Sequence, residues 1–249
     1  MTPAAQSWRL TVHDELPSTS DLCRSLAQAG EPEGLAILAR RQVQGRASHG
    51  RSWSSPPGNM YLSILLRPNT PIRQGGLWSL LAAVALADAV APLLPDPSTL
   101  TLKWPNDLLL NGRKMAGILV DSHATQTGIL DWLVIGLGLN LATAPQLPDR
   151  PSACLADATT PPPPETMAEH VLDRLAFWRD NFRRDGFAPV RTAWLARARN
   201  LGSEVTLRQG ANDIVGRFAG LGDDGSLLLD ADGKISAFAA GEVRLQLVE

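Results

Sequence analysis

The stretch LTLKWPNDLLLNGRKMAGILVD, residues Leu100 to Asp121, decides the reading of this chain. Leu100 to Trp104 is an apolar segment of strand character that runs into a proline. Pro105 biases Trp104 toward extended backbone, and Asn106 with Asp107 favours a turn that can aim a carboxylate at a pocket. Asn111-Gly112, between the apolar runs Leu108 to Leu110 and Gly117 to Asp121, is a strong two-residue hairpin signal, since both residues tolerate the positive φ such turns require. The hairpin returns Lys114 toward the strand that carries Asp107, so a cation and a carboxylate converge. On these residues alone, an exposed hairpin with an ordinary surface ion pair of little energetic worth is the plainer alternative.

Outward from the hairpin, short elements alternate. Trp8 to Leu16 reads as a strand, Ser18 or Thr19 as the N-cap of a helix through Ala29, and Gly30 as its stop. Leu35 to Ala39, Met60 to Leu66 and Trp132 to Asn140 read as buried strands. A helix beginning near Gly76 is apolar but carries Asp88, Pro92 and Pro95, which suits a buried core helix better than a membrane span. The stretch from Pro145 to Pro164 is rich in proline and extended, and two amphipathic helices follow, about Glu165 to Asp185 and Pro189 to Asn200. From Leu201 short alternating strands with Asp224-Gly225 and Asp232-Gly233 turns predict a small antiparallel barrel or sandwich. The expected division is residues 1–200 and 201–249.

The 249 residues are enough for a sizeable core without covalent staples. The two cysteines, Cys23 and Cys154, are too few and too far apart for a disulfide framework or a metal knuckle, and a reducing cytoplasm fits them. A net charge of −2 offers no global basic field for nucleic acid or anionic membrane. The N-terminus has no secretory pattern, and no His, Cys, Asp or Glu cluster has metal spacing.

Two more segments can carry chemistry. Arg40 to Trp53 interleaves arginines with Gly45 and Gly50, as an anion-closing loop would, because guanidinium forks pair with phosphate and glycines let backbone amides approach. A solvated surface loop reads equally well. Gly136-Leu137-Gly138-Leu139-Asn140, at the end of a buried strand, leaves room for a ligand or for a neighbouring backbone. It is not a dinucleotide fingerprint, since the third glycine and the following helix are missing.

Taken in order, Ser18-Thr19-Ser20, the loop Gly45 to Trp53, Lys103 to Asp107, Arg113 to Leu119 and Gly136 to Asn140 resemble the catalytic domain of biotin protein ligases. The likeness runs from Trp8 to the C-terminus, where Leu201 to Leu247 resembles the family's SH3-like domain. The resemblance implies an α/β (α+β) fold with a mixed sheet and helices like that of class II aminoacyl-tRNA synthetases. It implies a reaction in which biotin and ATP, with magnesium, give biotinyl-5'-AMP, followed by transfer of biotin to a lysine of a biotin carboxyl carrier protein. Lys114, Asp107 and Arg46 are then the catalytic candidates. Ser18, Thr19, Ser20, Gln42, Gly45, Arg46, Lys114, Gly117, Leu119 and Gly138 would meet biotin. Arg46, Arg51, Trp53, Lys103, Asn106, Lys114 and Asn140 would meet ATP or the adenylate, with no protein metal site.

Only 17 residues precede Ser18, too few for the helix-turn-helix domain of the family's bifunctional members, so a repressor role is not expected. The expected setting is cytoplasmic, with no nucleic acid or membrane as partner and a homodimer as one option. The loop departs from the family's usual Gly-Arg-Gly-Arg-Arg-Gly-Arg. Here Gly45-Arg46-Ala47-Ser48-His49-Gly50-Arg51 lacks two arginines and a glycine, and Ser20 replaces the usual asparagine. Looser retention of the adenylate is the expected consequence. A sister ligase taking lipoate or another small acid shares the architecture, but Gln42, Trp53 and the C-terminal domain count against it. Lys114 and Asp107 count against a biotin sensor that has lost turnover.

Overall fold

In the computed structural model residues 8–146, 151–210 and 212–244 are described. The expected second domain therefore has its last five residues outside the described ones.

Seven strands build the large sheet: β1 (Arg9–His13), β2 (Leu35–Ala39), β3 (Met60–Leu66), β4 (Leu100–Lys103), β5 (Asp107–Leu110), β6 (Arg113–Ala124) and β7 (Leu130–Leu139). Their order is β1-β2-β3-β7-β6-β5-β4. The sheet is mixed: β1 and β2 are parallel and the remaining neighbours antiparallel. Every residue of β2 and β3 is buried, as their unbroken apolar runs require when both faces of a sheet are covered.

The Asn111-Gly112 turn forms with φ of 50° and 75°, so both residues adopt the left-handed backbone for which this pair is suited. Strand β6 starts directly after it at Arg113, four residues before the expected Gly117. The charged Arg113 and Lys114, together with a bulge opposite Leu108 and Leu109, interrupt the alternation that marks a strand in sequence.

One face of the sheet packs on helices α2 (Gly75–Val90) and α3 (Pro164–Asp185), and α4 (Ala188–Leu195) packs in turn on these two helices. Twelve of the 16 residues of α2 are buried, and its side chains join those of β3, β6 and β7 in the main core. The segment Ile72–Leu93 is long and apolar enough for a membrane span, with a mean hydropathy of 1.7 over an 18-residue stretch, yet 72% of that stretch is buried inside the protein. Its apolarity serves the core. Helix α4 ends at Leu195 rather than at the expected Asn200. Beyond it the backbone of Arg197 and Arg199 hydrogen-bonds Leu102, both at 2.7 Å, and so covers the β4 edge of the sheet.

Helix α1 (Thr19–Gln28) lies on the opposite face, its Cys23 and Ala27 packed on Ile37, Leu65 and Val134. It is shorter than that face and leaves one end open.

Strands β8 (Glu204–Gln209), β9 (Asn212–Leu221), β10 (Leu227–Ala231), β11 (Lys234–Phe238) and β12 (Glu242–Arg244) form an antiparallel sheet of their own. Its apolar residues, among them Leu207, Phe218 and Leu229, continue the core that contains α2. Gly225 sits where a Cβ would lie 2.9 Å from both Leu77 and Leu80, and its carbonyl accepts a bond from Trp104 Nε1 at 3.1 Å. That contact sets the small sheet beside the turn carrying Asp107.

Candidate functional site

Side chains alternate faces along a strand. Gly117, Leu119 and Asp121 of β6, Gly136 and Gly138 of β7, and Tyr61 and Ser63 of β3 thus point to the face that α1 leaves partly open. Register places Gly138 between Tyr61 and Gly117, and Gly136 between Ser63 and Leu119. Adjacent glycines where neighbours carry side chains cut a trough into the sheet surface. A cavity of about 470 Å³ lies there, lined also by Thr19, Ser20, Gln42, Arg46, Trp53, Asn106 and Lys114.

One wall is a chain of hydroxyls. Gln42 Oε1 accepts from the backbone N–H and the Oγ1 of Thr19 at 2.8 and 3.1 Å. Ser63 donates to Thr19 Oγ1 at 2.8 Å and shares a 3.1 Å bond with Ser20, whose Oγ would be 2.5 Å from a Cβ at Gly136. Such groups can present donors and acceptors to a polar ring that carries both. Ser18 does not line this cavity. Its hydroxyl caps α1 by accepting from the Asp21 N–H at 3.3 Å.

The arginine loop is an ordered strap. Gly45 and Trp53, Arg46 and Ser52, and Ala47 and Arg51 pair across it, and one 3-10 turn, Ser48–Gly50, forms the tip. Gly45 is required there, because a Cβ would collide with the Trp53 carbonyl. The strap lays the Trp53 indole over Gly138 and Gly117, with Lys114 Nζ 5.4 Å from the ring centroid. Arg51 turns back on Ser48 and reaches Glu242 of the small sheet at 3.6 Å.

The charged centre is Asp107, 5% exposed, with Lys114 Nζ at 2.5 Å from one oxygen and Lys103 Nζ at 2.8 Å from the other. Burial pushes its carboxyl up, but Lys114 and Lys103 outweigh that and hold it below the usual carboxylate range. Two ammonium groups share one carboxylate, so one positive charge is left for an incoming anion. A carboxyl with a depressed folded pKa contributes stability above its unfolded pKa of about 4, and loses it as pH falls toward the folded value. The stability difference between wild type and Asp107→Asn should therefore be largest near neutral pH and shrink below about pH 4 in urea melts. A difference independent of pH would refute this account of the pair.

Two further cavities meet the first at Lys114. One, of about 900 Å³, is lined by Gln42 to Gly45, Ser52 to Ser55, Asn140, Pro145 and Ser152. At its walls, Trp53 Nε1 and Asn140 Oδ1 are buried with no hydrogen-bond partner, which is costly unless a ligand supplies one. The other, of about 380 Å³, lies between Ser48, Arg51, Lys103, Asn106, Asp107 and, from the small sheet, Gly241 and Glu242.

Residues 13–140 match the Biotin/lipoate A/B protein ligase family and residues 201–245 match the Biotin protein ligase C terminal domain. The chain is 36% identical over 218 residues to a biotin–[acetyl-CoA-carboxylase] ligase of Paracoccus denitrificans, covering 83% of this chain and 88% of that one. The chain belongs to the biotin/lipoate A/B protein ligase family. It is also 33% identical to the Mycobacterium tuberculosis biotin–[acetyl-CoA-carboxylase] ligase, over 96% of this chain and 90% of that protein. Among solved structures it resembles the Aquifex aeolicus biotin protein ligase in complex with biotin and ATP, with a TM-score of 0.80 at 26% identity, over 95% of this chain and 97% of that one.

In this member of the biotin/lipoate ligase family, Thr19, Ser20, Gln42, Arg46, Trp53, Asn106, Lys114, Gly117, Leu119 and Gly138 gather around one cavity. Gly45 and Asn140 border the second and largest of these three cavities, and Arg51, Lys103 and Asp107 the third. Sequence reading passed over Tyr61 and Ser63. The signal was present, since they are the polar side chains two apart in the otherwise apolar Met60–Leu66. It also passed over Asp21 and Asp121, whose partners come from distant segments.

Proposed function

We infer that the chain is an ATP-dependent biotin protein ligase, forming biotinyl-5'-AMP and then transferring biotin to a lysine of a carboxylase's biotin carrier domain. The observation that carries this reading is that Lys114 borders all three cavities, where an acid, a nucleotide and an acceptor amine would have to meet. The glycine trough takes biotin, with Thr19, Ser20 and Gln42 toward its ureido ring, Gly117, Leu119 and Gly138 along its body, and Ser18 and Gly45 shaping the helix start and the strap. The largest of the three cavities takes adenosine: Asn140 Oδ1 suits the exocyclic amine of adenine, and Trp53 covers the nucleotide. Arg46, Arg51, Lys103 and Lys114 meet phosphate, while Asn106, bonded to Ile118 on both its backbone and its amide, holds the turn.

In the first step a biotin carboxylate oxygen bonds to the α-phosphorus as the bond to pyrophosphate breaks. Both reactants are anions, so preorganised cations lower the barrier. Magnesium enters as part of the ATP substrate. In the second step the acceptor amine bonds to the acyl carbon, the bond from that carbon to the phosphate oxygen breaks so that AMP leaves with the electron pair, and the amine's proton passes to solvent. Asp107, held below the usual carboxylate range, is a weak base, and its role is to orient the amine. The lysines beside it help keep that amine neutral by like-charge repulsion.

The reading divides the chain at residue 200, places it in the cytoplasm and gives it no nucleic acid or membrane partner. It allows a homodimer through β1, the sheet edge that no described segment covers. Pyrophosphate release with ATP, magnesium and biotin, lipoate or no acid tests the reading, followed by the mass of an added biotin carrier domain. Biotin-dependent release with a heavier carrier is expected. Release with lipoate alone would overturn the substrate, and tight biotin binding without release would overturn the activity.

A further inference from the structure

Among the described residues, Arg46 is the one cation lining the first cavity that the Lys103–Asp107–Lys114 centre does not hold. Behind it, away from the cavity lining, stand two carboxylates. Arg46 Nη1 donates to Asp121 Oδ2 at 2.7 Å and to Asp21 Oδ1 at 3.1 Å. Asp121 is 22% exposed and comes from β6, two residues beyond Leu119. Asp21 comes from the first turn of α1 and also pairs with Arg24 at 2.9 Å. Three segments far apart in sequence thus converge on a single guanidinium nitrogen.

The geometry points to Asp121, assisted by Asp21, as a positioning residue for Arg46 in the adenylation step. Both acids engage the same nitrogen, which leaves Nη2 and Nε for a ligand in the cavity that Arg46 lines. An arginine on a loop loses rotamer freedom when it meets an anion, and two carboxylates that hold it beforehand remove that cost from the reaction. They also neutralise it. Arg46 and Arg24 balance Asp21 and Asp121, so the net positive charge of the site stays at Lys103 and Lys114, and Arg46 contributes direction rather than field. Asp121 is better placed for this than Asp21. Its bond is shorter, it is less exposed, and Arg24 pairs with Asp21 rather than with it.

This inference rests on the ligase reading, and the closing experiment separates the two. Single-turnover pyrophosphate release is followed in wild type, Asp121→Asn, Asp121→Glu, Arg46→Ala and the Asp121→Asn/Arg46→Ala double variant, with melting temperature and active-site titration for each. Wild type that releases no pyrophosphate with biotin would sink the ligase reading. Given a competent wild type, the rate constant of Asp121→Asn is expected to fall about tenfold with the active fraction unchanged, because the position of the cation is lost and the fold is not. Its KM for ATP should stay level or fall, since a negative charge has been removed from the site. Asp121→Glu should recover part of the rate, and Asp121→Asn should have no further effect once Arg46 is alanine.

Three results would overturn the assignment: an undiminished rate constant in Asp121→Asn, a loss seen only as a smaller active fraction, or the same tenfold loss in the Arg46→Ala background. The first would make Asp121 a mere counter-charge, the second a stabilising residue, and the third a residue acting through some other group.

Discussion

Biotin-dependent pyrophosphate release by the Lys114→Met variant should be slower than wild type by about 10²- to 10³-fold, the loss expected when one preorganised charge at a reacting oxygen is deleted. Lys114 borders each of the three cavities and carries the charge that Asp107 leaves unbalanced. With methionine in its place, Lys103 still pairs with Asp107 at 2.8 Å, so the buried carboxylate keeps a partner but the local excess charge is gone. Removing one partner of a buried pair typically costs about 3 to 5 kcal/mol. Here the remaining lysine should hold the loss below that, and the variant should still melt cooperatively. Stopped-flow release measured beside a thermal melt checks both parts. A rate within tenfold of wild type would remove Lys114 from the chemistry.

The second large effect should come from Gly138→Val. A Cβ at Gly138 lies 2.6 Å from Trp53 Cε2 and 2.7 Å from Nε1, closer than packed atoms approach, so the indole must leave the trough. The two extra methyl groups then fill space that the opposed Tyr61 and Gly117 leave open. Biotin affinity should fall at least about 100-fold, equivalent to about 2.7 kcal/mol. The fold should survive, since valine suits a strand and overpacking costs about 1 to 3 kcal/mol. Calorimetric titration with biotin is the measurement. Gly76→Ala is the control, for nothing lies within 4 Å of its new Cβ. Unchanged affinity in Gly138→Val would show that the trough is not the acid's pocket.

Much of the fold was legible because it is written locally. Leu35 to Ala39 and Met60 to Leu66 are strands over the residues their apolar runs mark, Ser18 caps the helix its hydroxyl predicts, and Asn111-Gly112 makes the turn its φ preferences demand. Errors fell where a distant segment intervenes. Helix α4 stops at Leu195 because the following backbone is taken up by Leu102, and β6 begins early because β5 pairs with its charged start through a bulge.

The site divides the same way. Residue types and their order pointed to a cation and a carboxylate on either side of one hairpin, a glycine-bearing strand end and an arginine loop, because turn geometry and strand period are properties of short stretches. What sequence could not settle was which atoms share a space. Register across β3, β7 and β6 sets the two glycines beside Ser63 and Tyr61, the strap lowers Trp53 onto them, and Asp121 meets Arg46 across 75 positions of chain. Alternation assigns a side chain to a face but cannot say which strand will lie beside it. Those pairings cost loop-closure entropy that only the packed core repays, and they exist only once the chain has folded.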